Sequence, residues 1–521
     1  MFKKIILLFH TIKYLKFIQV YYRLYYFIQN RFFPNKTYKT LNKKVEKLVW
    51  SNFFLYDNSS NNNQFTFLNI THNFSSKIDW NYGEYGKLWT YNLNYFDFLN
   101  QKKIAVDKGL ELIHNYIEND AYLKDGKEPY PISLRGINWI KFISIHNIFN
   151  EKINQNLYIH YQILLGKLEY HLLGNHLLEN GFSLFFGAYY FKDATLYKKA
   201  MEILNTELVE QTLNDGAHYE LSPMYHQLIL YRILDCLQLE KLNSWKGESS
   251  TKLLKNTAIN MLGWLDTVTY NDGSIPMVND CTNNIAPPSK ILFSYAKKLG
   301  LDWNKTKLKE SGYRKFSNAN FELFIDVGNI GPTYQPGHAH ADTFNFELYI
   351  NEKPFFVETG TSTYENNTTR QIERSTSSHN TVTLNDKNQS DVWGGFRVGK
   401  RAKIIKLEEK KNSIKSAHNG YANIHQREFS LTKTEINITD TIKSNNVSAN
   451  AYFHLHPAIT SYEISKNSIF FLDLGISLVF DSSYLKIHPE KYLFAKGFND
   501  TVEAIKFKIQ FKNTLITTIQ L

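Results

Sequence analysis

The hydrophobic period of the chain changes near residue 315, and this change limits the folds that the chain can adopt. Before that point, apolar residues recur at spacings of three and four, which indicates helices. After it, apolar and polar residues alternate in short runs such as Phe344–Tyr349 and Ile505–Phe511, which is typical of strands. The helical segments are Ile140–Phe149, Leu157–Leu173, Ala200–Leu213, Tyr225–Leu239 and Leu253–Val268.

Helices followed by strands predict two separate domains, not one interleaved α/β sheet. We therefore divide the chain into an N-terminal segment (1–40), a helical domain (41–312) and a β domain (313–521). Short turns between helices of this length predict paired helices in a bundle, solenoid or toroid. Residues 58–63, which read Asn-Ser-Ser-Asn-Asn-Asn, predict a loop.

The charge of the chain favours a polyanionic partner. The 521 residues include 60 Lys and Arg against 49 Asp and Glu, for a net charge of +11. Such an excess steers polyanions toward a protein. No helix-turn-helix, RNA-binding or zinc-finger signature accompanies it, which argues against a nucleic acid as that partner. Two cysteines, Cys236 and Cys281, are too few for a disulfide framework.

The N-terminal segment admits more than one interpretation. Lys3 and Lys4 precede an apolar run, as in a signal peptide, but His10 and Lys13 interrupt the run and no small-residue cleavage site follows. Residues Lys13 to Phe33 predict an amphipathic helix. We prefer a helix packed on the protein body, with peripheral contact to a membrane surface as the alternative. No run approaches the ~20 apolar residues of a membrane-spanning helix.

The densest polar motif is Gly337-His338-Ala339-His340-Ala341-Asp342, in the β domain. Two histidines near a carboxylate are ligands that suit Zn²⁺. Glu358 and His379 lie in separate turn-rich segments that follow, so they are further candidate ligands.

Two polar motifs lie in the helical domain. Asn175, His176 and Glu179 have the spacing that places side chains on one face of a helix. Ser222-Pro223 predicts a helix start, with Ser222 at the N-cap and Tyr225 in the first turn. Each motif alone is also compatible with ordinary hydrogen-bonded packing.

Taken together, these segments resemble the heparinase II/III-like polysaccharide lyases, from about Leu88 to about Pro457. The resemblance implies an N-terminal (α/α) toroid followed by a C-terminal antiparallel β-sandwich, with the active site between them. It also implies β-elimination on an acidic polysaccharide. The matching segments are Leu88–Tyr95, Ser133–Trp139, Asn175–Asn180, Ser222–His226, Gly337–Asp342 and Arg374–Thr381.

The resemblance also implies roles for individual residues. Asn175, His176 and Glu179 match the group that binds the uronate carboxylate, Tyr225 the general acid, and His338 the histidine that assists as base or neutraliser.

Zinc would be held by His340, Glu358 and His379, where Glu358 departs from the Asp that many members carry. The expected role of the metal is structural.

Substrate contacts are implied for a further set. Aromatic faces stack on sugar rings, and Arg135 is expected to pair with a carboxylate or sulfate. Arg374 is assigned to substrate binding, and Arg374 or His226 could lower the pKa of Tyr225. The set that resembles the lining of the family's cleft is Tyr91, Asn92, Asn94, Tyr95, Arg135 and Trp139.

Two other functions remain open at this stage. One is a carbohydrate-binding or glycan-assembly protein that keeps the fold without lyase activity. The other is a metal-dependent hydrolase in which His338 and His340 both ligate a catalytic zinc. The expected location is the periplasm or cell envelope, with the cytoplasm as the alternative. The sequence indicates neither the particular polysaccharide nor the oligomeric state.

Overall fold

The structure is a computed structural model that describes residues 2–32, 37–247, 250–443 and 448–521. Helices occupy the first part of the chain and strands the last. The change falls between Leu299 and Tyr313. The helices are α1 (Phe2–Ile12), α2 (Phe17–Phe32), α3 (Lys87–Tyr95), α4 (Val106–Glu118), α5 (Pro129–Ile145), α6 (Glu151–Leu165), α7 (Gly174–Phe191), α8 (Ala194–Gln211), α9 (Pro223–Leu242), α10 (Thr251–Val268), α11 (Ser289–Leu299) and the short α12 (Thr368–Glu373).

Helices α5, α7 and α9 form the interior of the helical domain. In α7 every residue except His176 is buried. Each inner helix packs against the helix that follows it, α5 with α6, α7 with α8 and α9 with α10. A helix that is covered on all sides needs an outer layer, and α6, α8 and α10 provide it. This inner and outer pairing is the arrangement of an α/α toroid.

A small antiparallel sheet precedes the toroid helices, where the sequence predicted a loop. It consists of β1 (Ser60–Asn61), β2 (Gln64–Phe67) and β3 (Ile70–Asn73). The loop prediction is therefore wrong at Ser60 and Asn61. The physical reason lies in β2, where Phe65 and Phe67 are buried on one face. The Phe65 ring packs 5.3 Å from that of Phe98, which anchors a sheet that the Asn-rich composition conceals.

The β domain consists of antiparallel sheets around a second hydrophobic core. The largest sheet has the strand order β11-β12-β13-β14-β21-β18-β17-β16, and two four-stranded sheets have the orders β19-β20-β15-β8 and β4-β5-β6-β7. In β14 buried and half-buried residues alternate, as the period of two requires. The strands are β4 (Tyr313–Ser317), β5 (Phe321–Asp326), β6 (Phe346–Ile350), β7 (Lys353–Phe356), β8 (Val382–Leu384), β9 (Val392–Trp393), β10 (Arg397–Val398), β11 (Ile404–Lys410), β12 (Ser413–His418), β13 (His425–Leu431), β14 (Glu435–Ile442), β15 (Ala449–His454), β16 (Tyr462–Ile464), β17 (Ser468–Phe471), β18 (Ile476–Asp481), β19 (Leu485–Gly497), β20 (Asp500–Phe511) and β21 (Thr514–Gln520).

The N-terminal segment forms two helices, α1 and α2, that contact different domains. Thr11 in α1 donates to the carbonyl oxygen of Val398 in the β domain at 3.3 Å. Gln19 in α2 donates to the carbonyl oxygen of Leu172 in the toroid at 3.1 Å. The amphipathic helix predicted over Lys13 to Phe33 corresponds to α2, and Phe33 itself lies outside the described residues. Among the described residues, no helix combines the length and apolar character needed to cross a membrane.

Candidate active site

The start of α7 brings Asn175 to the boundary between the two domains. Gly174 has a φ of 64°, and a Cβ at this position would lie 2.5 Å from Glu220 Oε1, so the approach requires glycine. Glu220 Oε1 accepts the backbone N–H of Asn175 at 3.0 Å, and Glu220 Oε2 accepts Asn175 Nδ2 at 2.9 Å. A carboxylate at a helix N-terminus is favoured by the helix dipole. Glu220 therefore caps α7 and orients the Asn175 amide.

The start of α9 brings Tyr225 to the same place. Ser222 is the N-cap and accepts the N–H of Tyr225 at 3.3 Å, and Pro223 occupies the first turn, which confirms the predicted helix start. The Tyr225 ring lies 4.0 Å from the ring of His338, at an angle of 31°. Its hydroxyl lies 3.2 Å from that of Tyr364.

The loop before β6 supplies His338 from the β domain. His338 Nδ1 lies 2.9 Å from Asp280 Oδ2, and its Nε2 lies 3.4 Å from Asn175 Nδ2. Arg370 pairs with the same carboxylate, since its Nη2 donates to Asp280 Oδ2 at 2.7 Å. A carboxylate beside Nδ1 favours the tautomer that carries its proton there. Nε2 is then the basic nitrogen, directed toward Asn175.

The two buried carboxyl groups of the site stay ionised, whereas the Tyr225 hydroxyl stays protonated. Burial alone would raise the pKa of Asp280, but Arg370 and two hydrogen-bonded histidines hold it well below its usual range. Burial would likewise raise the pKa of Glu220, but nearby histidines and the Asn175 amide hold it below its usual range. Burial raises the pKa of Tyr225 above its ordinary value, so at neutral pH this hydroxyl is a proton donor.

The other two polar residues of α7 contact different partners. His176 Nδ1 lies 2.9 Å from Glu169 Oε1, and its ring lies 4.5 Å from that of Tyr130. Burial would lower the pKa of His176, but Glu169 raises it above its ordinary value. Glu179 is buried and accepts Arg232 Nε at 2.7 Å. Asn175, His176 and Glu179 therefore each pair with a different protein neighbour, and their predicted binding of a uronate carboxylate stays a prediction.

The chain also matches two family descriptions that together cover most of its length. Residues 132–298 match the heparinase II/III N-terminus, and residues 301–516 match the heparinase II/III-like C-terminal domain. The chain belongs to the heparinase II/III-like family. The resemblance inferred from the motifs is thereby confirmed.

Curated relatives and a solved structure extend this result. The heparin-sulfate lyase of Bacteroides stercoris is 29% identical over 245 residues, which are 42% of this chain and 37% of the relative. The heparin-sulfate lyase of Pedobacter heparinus is 26% identical over 245 residues, 41% of this chain and 36% of the relative. The chain thus spans little more than a third of the length of either relative. A crystal structure of heparinase III has a TM-score of 0.62 at 18% identity, covering 86% of this chain and 80% of that one. It confirms the predicted fold.

Several residues predicted to contact sugar lie instead in the core of this family member. Arg135 is fully buried, and its guanidinium donates to the carbonyl oxygens of Gly126 at 2.9 Å and Asn94 at 3.1 Å. The prediction that Arg135 pairs with a substrate carboxylate or sulfate is wrong, because these carbonyl groups already hold it. The buried members of the predicted lining are Asn94, Tyr95, Arg135 and Trp139.

Tyr91 and Asn92 are half-buried on α3, and both are engaged by protein groups. The Tyr91 hydroxyl donates to the carboxylate of Glu128. Asn92 Nδ2 donates to the carbonyl oxygen of Leu88, one turn earlier in the same helix, at 2.8 Å. Their contact with substrate stays a prediction.

Arg374 and His226 are not the cationic neighbours of Tyr225 that we expected. Arg374 is buried, and it donates to the carbonyl oxygens of Ala339 at 2.9 Å and Gly395 at 3.1 Å, so it positions loops and does not bind substrate. Burial lowers the pKa of His226 to about 3, which leaves its imidazole neutral. The cation whose charge reaches Tyr225 is Arg370, because it lowers the pKa of that hydroxyl.

A second polar cluster lies beneath the loop, and we call it the buried cluster (His340, Asp342, Glu358 and His379). Ligand atoms of Asp342, Glu358 and His379 all lie within 4.8 Å of one another. The His340 ring lies 5.3 Å from that of His379, and its Nε2 lies 2.9 Å from Asp280 Oδ1. The structure therefore brings two of the three predicted ligands, Glu358 and His379, into one group with Asp342, whereas His340 lies beside His379 and pairs with Asp280.

The buried cluster has unpaired polar atoms. Among the described residues, His340 Nδ1, Asp342 Oδ2 and His379 Nε2 have no hydrogen-bond partner. Burial raises the pKa of Asp342 to about 6 and that of Glu358 well above its usual range. Buried groups of this kind are costly unless an opposite charge compensates them.

Sequence reasoning assigned no role to several residues that organise the site. Asp280 lies 58 positions from His338 and 90 from Arg370, so no local pattern relates them. Glu220 lies two residues before Ser222, but only the structure shows that it caps α7. The spacing of His340 and Asp342 was the one signal that could have identified a further ligand.

Proposed function

We propose that this chain is a polysaccharide lyase that cleaves a uronate-containing acidic polysaccharide by β-elimination. The observation that carries the proposal is the convergence of the Asn175 amide, the Tyr225 hydroxyl and the His338 imidazole from two domains. Membership of the family and the curated names of the two relatives support the same chemistry.

The proposed reaction needs three functions from the protein. It removes the weakly acidic proton at C5 of the uronate, which requires a base. Negative charge then develops on the neighbouring carboxylate and must be stabilised. Finally the oxygen at C4 leaves, and it requires a proton.

We assign the base to His338 and the acid to Tyr225. Because Asp280 lies beside Nδ1 of His338, the lone pair is on Nε2, which lies 3.4 Å from Asn175 Nδ2 on the side of the site. The raised pKa of Tyr225 keeps its proton in place until the leaving oxygen accepts it. The 4.0 Å separation of the two rings supports the proposal that donor and acceptor act on one sugar ring.

We assign the carboxylate-binding role to Asn175 and His176. Glu220 fixes the orientation of the Asn175 amide before substrate binds, which is how hydrogen-bond donors stabilise developing charge most effectively. His176 is adjacent to Asn175, and Glu169 raises the pKa of its imidazole above the ordinary value despite burial, which supports a role in binding an anion. Glu179 takes no part in this group, since its carboxylate is paired with Arg232.

We also propose that the buried cluster holds a structural Zn²⁺. Imidazole nitrogens and carboxylate oxygens are zinc ligands, and the unpaired atoms of His340, Asp342 and His379 fit that role. A bound cation would compensate the buried carboxyl groups and tie the loop of His338 to the segments around Glu358 and His379. The steps of the reaction are carried out by the residues of the site.

We further propose that the protein acts in the periplasm or cell envelope, where acidic polysaccharides are encountered. Fractionation of cells, with the cytoplasm as the competing outcome, tests this location.

The decisive experiment is an ultraviolet assay across acidic polysaccharides. β-Elimination creates a conjugated unsaturated uronate that absorbs in the ultraviolet, so heparan sulfate, heparin, chondroitin sulfate, hyaluronate and alginate are incubated separately with the protein. Rising absorbance with at least one polymer supports the proposal. New reducing ends without absorbance would favour the metal-dependent hydrolase, and affinity without cleavage would favour the carbohydrate-binding protein.

A further inference from the structure

Helices α1 and α2 contact the protein body through both polar and apolar side chains. On α2, Gln19 is fully buried, Tyr26 donates to the carbonyl oxygen of Leu168 at 2.5 Å, and the Tyr22 ring stacks 4.7 Å from that of Tyr170. On α1, Thr11 forms the contacts to Val398 and Trp393. A surface helix of a soluble protein normally turns its apolar face inward.

The outward face of the two helices is apolar. Phe17 is 82% exposed, Phe27 and Phe32 are each 68% exposed, and Phe9 is 66% exposed. Further exposed apolar residues follow the same face, including Ile5, Ile12, Val20 and Leu24. A contiguous patch of this kind on a soluble protein marks a surface that meets an apolar partner.

The first 45 residues, which include both helices, carry nearly all of the net charge of the chain. Residues 1–45 contain ten Lys and Arg and no Asp or Glu, so residues 46–521 account for only +1 of the total of +11. The net charge that we first related to a polyanionic substrate is therefore concentrated in the first 45 residues.

We propose that the outward face of α1 and α2 binds the surface of an anionic lipid bilayer. Apolar side chains would enter the boundary between headgroups and acyl chains, while lysine and arginine side chains contact the anionic headgroups. The exposed tyrosines Tyr21 and Tyr25 suit that boundary because they combine an apolar ring with a polar hydroxyl.

Charge distinguishes a bilayer from a second copy of the chain as the occupant of this face. Two copies joined through it would bring two segments of ten basic residues each together, with no acidic residue in either segment to compensate. Like charges at an interface oppose association. An anionic bilayer supplies the opposite charge.

Vesicle flotation of the full chain tests the proposal. We expect the protein to float with vesicles of phosphatidylcholine mixed with phosphatidylglycerol and to bind phosphatidylcholine vesicles much more weakly. Salt should weaken the binding. Replacing Lys4, Lys13 and Arg31 with glutamine should lower affinity roughly fivefold per charge, or about a hundredfold in total. The matched control replaces Lys400, Lys411 and Lys433, which are exposed on the β domain, and should bind like wild type.

A second variant tests the apolar part of the face. Phe9→Glu, Phe17→Glu and Phe27→Glu together should abolish flotation, and because these side chains are exposed the fold should be retained, as circular dichroism will show. Phe149→Glu with Val209→Glu, at equally exposed positions on the toroid, is the control. The proposal is overturned if wild type does not float with anionic vesicles, or if the triple glutamate variant floats equally well. It is also overturned if light scattering detects a dimer that this variant disrupts while vesicles bind neither protein.

Discussion

The active-site cluster (Asn175, Glu220, Tyr225 and His338) and the buried cluster beneath it both contact Asp280, yet they differ in how their polar atoms are paired. In the active-site cluster each group has a partner, and two carboxylates remain ionised. In the buried cluster three polar atoms lack partners. The paired groups of the active-site cluster are arranged to transfer a proton, whereas the unpaired atoms of the buried cluster suit the binding of a cation.

The largest effect is expected for Tyr225→Phe, which acts on the active-site cluster alone. Removing the hydroxyl removes the proton donor, so turnover should fall about 10²- to 10⁴-fold. The ring stays in place beside His338, so the thermal unfolding temperature should not change. Initial rates from ultraviolet absorbance and a thermal melt check both parts. A variant that keeps more than about a third of wild-type turnover would exclude Tyr225 as the acid.

Asn175→Ala is expected to have the next largest effect. The substrate carboxylate would lose a donor whose hydrogen bond strengthens as charge develops, and such donors contribute about 10²- to 10³-fold to kcat. Asn119→Ala is the matched control, because Asn119 Nδ2 donates to the carbonyl oxygen of Asn115 in α4 at 2.8 Å and the residue has no assigned role in the site. If KM rose while kcat held, Asn175 would act in ground-state binding and not in the transition state.

His340→Ala and His338→Ala separate the two clusters directly. We expect about one zinc per chain in the wild-type protein by elemental analysis. His340→Ala should lose zinc and unfold at a lower temperature, because a metal that binds only the native state stabilises it. His338→Ala should keep its zinc and its stability and lose turnover.

Two other results would change the assignments. Loss of metal in both variants would make His338 a ligand and favour the hydrolase. Wild-type protein without metal would remove zinc from the proposal and leave the lyase assignment intact, since no reaction step depends on the metal.

The sequence predicted the order of the domains because helical and strand periods are local properties. It also predicted the start of α9, since Ser222 and Pro223 act within one turn. It placed Arg135 and Trp139 on the sugar-binding surface, although the packing of inner helices buries them. That packing depends on contacts distant in sequence, as does the pairing of Asp280 with His338 and Arg370. Motifs identified the residues that carry chemistry, but not the partners that orient them.

The smallest effect is expected on stability, from a third cluster in the β domain that consists of His425, Arg427 and Asp440. It resembles the buried cluster but contains a cation, Arg427. Arg427 Nε donates to Asp440 Oδ1 at 2.7 Å, and His425 Nε2 lies 2.7 Å from the same oxygen. Burial alone would raise the pKa of Asp440, but Arg427 and His425 lower it to about 2. In this cluster the guanidinium of Arg427 compensates the buried carboxylate of Asp440. We propose that zinc compensates the carboxyl groups of Asp342 and Glu358 in the same way.

This difference predicts how stability depends on pH. The pKa of Asp440 is lower in the folded chain than in the unfolded chain, so the unfolded chain binds more protons between about pH 2 and pH 4. The stabilisation from Asp440 is therefore complete above about pH 4 and is lost as the pH falls toward 2. It amounts to about 2 kcal/mol of unfolding free energy. Asp440→Asn should be less stable than wild type at pH 5. Urea titrations should show the difference in unfolding free energy between the two proteins decrease by about 2 kcal/mol as the pH falls toward 2. A gap that does not change with pH would show that Asp440 does not titrate in this window.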